Sequence, residues 1–109
     1  MNNIKNFIEK FKKRFNDEQE IKSVFTNGYC YHFAYLLAGL YEGFISYNPV
    51  DNHFGFVESE TNSIWDITGN IGEFDNNSWR NWEEYKSEEP IESSRIIKQC
   101  IYKIYEEIE

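Results

Sequence analysis

Three side chains in this 109-residue sequence are of types that do chemistry together: Cys30, His53 and Asp66, a thiol, an imidazole and a carboxylate. A thiol is a useful nucleophile only as thiolate, and the unpaired N–H groups and positive dipole end of a helix N-terminus favour that form. The same N–H groups can donate to a developing oxyanion. An imidazole within reach takes or supplies the proton, and a carboxylate beside it orients the ring and stabilises its cation. The expected chemistry is therefore acyl transfer through a thioester on Cys30, with His53 as general base and acid and Asp66 as orienter. Gly28 would allow close approach to those N–H groups.

The segments around these residues have patterns that could place them. Thr26-Asn27-Gly28 carries turn and helix-cap chemistry, and Cys30 to Tyr41 is uncharged, with Phe33, Leu36, Leu37 and Leu40 on one arc. This predicts a buried central helix that starts near Cys30. Gly43 breaks it, Phe44-Ile45-Ser46-Tyr47 reads as a short strand, and Asn48-Pro49-Val50-Asp51 as a turn. Residues 53–58 alternate, with His53, Gly55 and Val57 on one side and Phe54, Phe56 and Glu58 on the other. A polar turn over Ser59 to Asn62 leads to a second strand, Ser63-Ile64-Trp65-Asp66-Ile67, closed by Thr68-Gly69-Asn70. In that hairpin His53 and Asp66 share a face, directly opposite in one register and diagonal after a shift of two.

Flanking elements complete the expectation. Ile4, Phe7, Ile8, Phe11 and Phe15 recur at helical spacing in an amphipathic N-terminal helix, followed by the polar connector Asn16 to Glu20. Residues 70–91 are acidic and irregular, with Trp79, Trp82 and Tyr85 marking a short aromatic helix or lid. A last helix capped by Ser93 or Ser94 carries Ile97, Cys100, Ile101, Ile104 and Ile108 on its apolar arc, which makes Cys100 a core residue. The predicted fold is one α+β domain over residues 1–109: a central helix with Cys30 at its start, packed on a small antiparallel sheet between N- and C-terminal helices. Cys30, His32, His53 and Asp66 could be assembled on paper into a zinc site. Residues two apart on a helix diverge by roughly 200 degrees, however, so no metal is expected, and acyl transfer needs no organic cofactor either.

Order and context of the three residues resemble the papain-like cysteine-enzyme superfamily, above all its transglutaminase-like branch. The resemblance rests on Asn27-Gly28-Tyr29-Cys30 with Phe33-Ala34-Tyr35-Leu36-Leu37, on His53-Phe54-Gly55-Phe56-Val57-Glu58 and on Ile64-Trp65-Asp66-Ile67-Thr68, within residues 27–69. It implies a catalytic triad of Cys30, His53 and Asp66, with Asn27 or the Tyr29 side chain beside Gly28 in place of the papain-type oxyanion residue, acting on a protein or peptide: amide or isopeptide hydrolysis, or deamidation or transamidation of Gln.

Charge supports a different class of function. Residues 42–92 hold twelve acids against two bases, whereas residues 1–22 hold six bases against four acids and residues 23–41 carry no charge. Such a surface repels phosphate backbones, so direct nucleic-acid binding is not expected. It suits a small acidic inhibitor or interaction protein, of the kind phages and mobile elements use, that occupies a basic site on a host protein. The sequence has no apolar run of membrane-spanning length and no apolar leader after Met1, which predicts a cytoplasmic protein with no membrane partner.

Overall fold

The computed structural model describes residues 3–14, 30–75 and 77–108, with side chains as far as residue 99. Helix α1 (Asn3–Lys13) is followed by α2 (Cys30–Leu40), β1 (Gly43–Asn48), β2 (His53–Glu58), β3 (Ser63–Asp66), β4 (Gly69–Glu73), β5 (Arg80–Asn81), α3 (Trp82–Glu88) and α4 (Pro90–Ile108). The strands form one antiparallel sheet in the order β4-β3-β2-β1-β5. The fold is α+β, as the sequence predicts, with Cys30 at the start of a helix packed on the sheet.

Packing follows the hydrophobic periods. Ile4 and Ile8 of α1, Phe33 and Leu37 of α2, and Phe56, Trp65 and Ile67 form one buried cluster, with Phe7 and Phe11 against it. Cys30, Ala34, Tyr47, Phe54, Trp82 and Ile96 form another. Phe54 and Phe56, two apart on β2, thus share the face on which the helices lie. Their intervening neighbours point to the other face, where Phe44 of β1 meets Phe74 edge to face at 5.0 Å between centroids.

Several expectations are corrected. Helix α2 buries only the stripe Cys30, Phe33, Ala34 and Leu37; Tyr35 is 64% exposed and Leu40 54%, because the sheet covers one side of it. The second strand does end before Thr68-Gly69-Asn70, but that segment leads by a tight turn into an unforeseen strand, β4, with Gly69 at φ +116°. β4 has no buried side-chain alternation for a periodicity to reveal. In the acidic stretch 70–91 the short aromatic helix expected there is α3, capped by Asn81, which accepts from the N–H groups of Glu83 and Glu84, but the stretch also holds the unforeseen β5. The last helix begins at Pro90, a residue suited to a first turn because its missing N–H has no partner to lose. Ser93 lies within that helix, its hydroxyl donating to the Pro90 carbonyl, and Ile96 rather than Ile97 is fully buried. Phe15, the connector 16–20 and the turn at 26–28 lie outside the described residues, and the Cys100 side chain outside the described side chains.

Gly43 starts β1 where the backbone passes so close to β2 that a Cβ would lie 1.9 Å from the Val57 carbonyl oxygen and 2.6 Å from the Phe56 ring. Gly39, on α2, has nothing within 4 Å of its would-be Cβ. Alanine at the two positions should therefore have opposite effects, measured by urea unfolding. Gly39→Ala should stabilise by up to about 1 kcal/mol through helix propensity, and Gly43→Ala should destabilise by about 2 kcal/mol or more through overpacking.

Candidate functional site

Cys30 is the first described residue of α2 and is 7% exposed. His53 opens β2 and Asp66 closes β3. The register pairs Phe56 with Trp65 and Val57 with Ile64, which sets Asp66 across from Gly55 and makes it a diagonal neighbour of His53. This is the second of the two registers foreseen from the sequence. It keeps both side chains on one face, and His53 Nε2 lies 2.9 Å from Asp66 Oδ2.

The other Asp66 oxygen is held as well. Oδ1 accepts from the Thr68 N–H at 2.8 Å and from the Thr68 hydroxyl at 2.5 Å, an Asx turn that also shapes the passage into β4. Burial alone would raise the Asp66 pKa, but the hydrogen bonds from His53 and Thr68 outweigh it and hold the carboxyl below its ordinary range. The imidazole responds in the opposite direction. Its hydrogen bond to Asp66, then one with the Cys30 side chain, overcome partial burial and push the His53 pKa up to about 9. At neutral pH the site is thus a carboxylate and an imidazolium with the Cys30 sulfur beside the ring.

Trp79 covers this arrangement. Its ring centroid is 6.1 Å from that of His53, at 67°. Gly55 lies beneath it, and a Cβ there would sit 2.7 Å from Ile64 Cγ2 and in ordinary contact, 3.6 Å, with the Trp79 ring. The indole limits solvent at the imidazole, whose side chain is 17% exposed against 8% for Asp66. Cys30, His53 and Asp66 are therefore brought together, whereas Asn27, Gly28 and Tyr29, expected as oxyanion and substrate contacts, lie outside the described residues. Thr68 and Trp79 were not foreseen in the site. The spacing Asp66-x-Thr68 is a local signal for the first, but nothing along the chain links Trp79 to His53.

The connection between β4 and β5 explains that contact. These strands are the two edges of the sheet, so the chain must cross from one side to the other, and Phe74 and Trp79 pack on the face opposite the helices as it does. Carboxylates meanwhile collect at one end of the strands. Gly43 pairs with Glu58 and Ser63 with Glu73, and the Ser59 N–H donates to the Glu42 carbonyl. Glu42, Glu58, Glu60, Glu73 and Asp75 are thereby gathered near the half-buried Phe44–Phe74 pair.

Comparison with known proteins identifies the family. A family model described as Phage YunG-like protein matches residues 7–104. The chain belongs to the Phage YunG-like protein family. No curated protein and no solved structure matches it. This membership corrects the papain-like and transglutaminase-like resemblance, which covered only residues 27–69, and with it the expectation of a cysteine protease or transglutaminase-like hydrolase. The resemblance rested on the order Cys, His, Asp along a helix and a hairpin. A small α+β chain can place those residues together without being a member of that superfamily, since fold and order do not carry function with them. The protein is thus a small member of a phage-associated family.

The ion pair makes stability pH-dependent. A histidine whose folded pKa is raised from 6.5 to about 9 adds stability that is fully present below pH 6.5 and is lost as pH rises through 9. Asp66, held low, adds stability that is lost as pH falls through its folded pKa. Urea unfolding at pH 6 and pH 9.5 should show a loss of at most about 3 kcal/mol at the higher pH, and His53→Gln should largely abolish that difference.

Proposed function

We propose that this Phage YunG-like protein is an interaction protein that binds a basic site on a bacterial host protein, acting in the host cytoplasm. The observation that carries this reading is the carboxylate end of the sheet, where the register sets Glu42, Glu58, Glu60, Glu73 and Asp75 at the same end of the strands as the Phe44–Phe74 pair. Like charges brought together there repel one another, so the arrangement costs stability alone and gains it against cations. The half-buried aromatic pair provides an apolar centre, the usual place for binding energy within a charged rim. Membership of a phage-associated family supports the same reading.

The test is capture from a bacterial host lysate on the immobilised protein, washed at roughly 0.05 M and 0.5 M salt. A partner should be held at low salt, released at high salt, and lost from the folded variant Glu42→Gln/Glu60→Gln/Glu73→Gln. Equal retention by that variant, or no saturable partner, would overturn the reading.

A second reading is favoured by a separate observation, the Cys30 side chain against the imidazolium that Asp66 holds. It proposes that Cys30 is a reactive thiol, with the His53 imidazolium beside it and Asp66 orienting the ring. Peptide or isopeptide hydrolysis is no part of it. Alkylation by iodoacetamide, followed over pH in a Cys100→Ala background, should proceed at neutral pH and slow at least about tenfold in His53→Ala. Reaction only on unfolding would exclude it.

A further inference from the structure

The outward side of α2 has no part in either reading. Tyr35, Leu36, Gly39 and Leu40 fall on one arc of that helix, and all four are exposed, Leu36 to 37%. The buried stripe of Cys30, Phe33, Ala34 and Leu37 lies on the opposite side. No residue of α2 is charged, in a chain whose net charge is −8. Val50 and Ile91 are more exposed still, but they stand singly, in the β1–β2 turn and at the start of α4, whereas the α2 residues adjoin one another.

Gly39 provides the second indication. Inside a helix, glycine is the least favourable residue after proline. Gly39 has no left-handed backbone to accommodate, and among the described residues nothing lies within 4 Å of the position its Cβ would take. Neither conformation nor crowding within the chain requires a glycine there. Its effect is a hollow in the exposed face beside Leu36, and a glycine on a helix surface lets a side chain from another helix approach the backbone closely.

We propose that this face pairs with the same face of a second copy of the chain, α2 against α2 in antiparallel order about a two-fold axis. The spacing is self-complementary. With the axis between residues 37 and 38, Leu36 of each copy meets Gly39 of the other and Tyr35 meets Leu40, so the leucine enters the hollow and the ring covers the second leucine. Charge favours the same partner and the same direction. A face without charges lets two copies of net charge −8 meet where neither contributes a carboxylate, and it offers no pairing to a charged partner. Glu42 stands just beyond the C-terminal end of α2, and antiparallel order keeps its two copies at opposite ends of the pair, each toward the positive N-terminal end of the other helix. One helix face is smaller than the roughly 800 Å² per partner of a standard interface, so the dimer is weak and forms in the micromolar range.

The experiment is sedimentation velocity of the full chain from roughly 1 to 500 μM, the range over which an interface of this size dissociates. The mass is expected to rise from 13.1 kDa to twice that value and no further. Gly39→Glu places a good helix former at an exposed helical position, so it keeps the fold, and it should weaken the dimer at least about tenfold. Tyr35→Glu should act in the same direction. Val50→Glu removes a more exposed apolar side chain elsewhere and should leave the dimer unchanged. An equimolar mixture of Gly39→Glu and Leu36→Lys should dimerise more tightly than either variant alone, because position 39 of one copy faces position 36 of the other. Thermal unfolding with wild-type cooperativity shows that folded chains are being compared. A monomer at every concentration, as when a different protein occupies this face, would overturn the proposal, and so would growth beyond a dimer, equal weakening by Val50→Glu, or no gain in the mixture.

Discussion

The structure depends on the placement of β2, which is third of five strands and has to be covered on both faces at once. On one face Phe54 and Phe56 meet the helices, and on the other His53 and Gly55 lie under Trp79. A strand alternates with a period of two, so a slip of one residue would exchange the faces, sending the phenyl rings toward Trp79 and the imidazole into the core. The apolar face therefore sets the register, and the register sets the distance from His53 to Asp66. An ion pair at the edge of a core is held here by hydrophobic packing several residues away.

Charge is separated along the strands by the same pairing. The turn from β3 to β4 brings Asp66, Thr68 and Asn70 toward the lysines of α1, whereas the far end of that hairpin, at Ser63 and Glu73, belongs to the carboxylates. Asp66 is the acid that differs from the rest. It is buried, bonded to His53 and Thr68, and neutralised by an imidazolium, while Glu42, Glu60, Glu73 and Asp75 stay in water. Buried and exposed carboxylates thus serve different ends, one an internal pair and the others a surface field.

Much of this was legible along the chain. The amphipathic period of α1, the alternation of β2 and the place of Cys30 at a helix start are local properties, and the candidate cluster followed from combining them with hairpin geometry. What escaped had no local signature. β4 buries too little to alternate, β5 is two residues long, and α2 is so uniformly apolar that its exposed side could not be told from its buried one. The family resemblance failed for a related reason: three reactive residues in a permitted order constrain a fold less than they suggest, and the match over residues 7–104 draws on far more of the chain.

By itself the sequence determined that α1, α2, β1, β2 and β3 become helices and strands, because those depend on periods of 3.6 and 2 that neighbouring residues carry. It also determined the acidic middle and the basic start. Only the tertiary structure decided that Trp79 lies on His53, that Thr68 secures the second oxygen of Asp66, and that Tyr35, Leu36 and Leu40 stay on the open side of α2. The physical reason lies in the sheet order: β4 and β5 are its opposite edges, so the chain between them crosses a whole face, and contacts made in that crossing join residues that no local spacing relates.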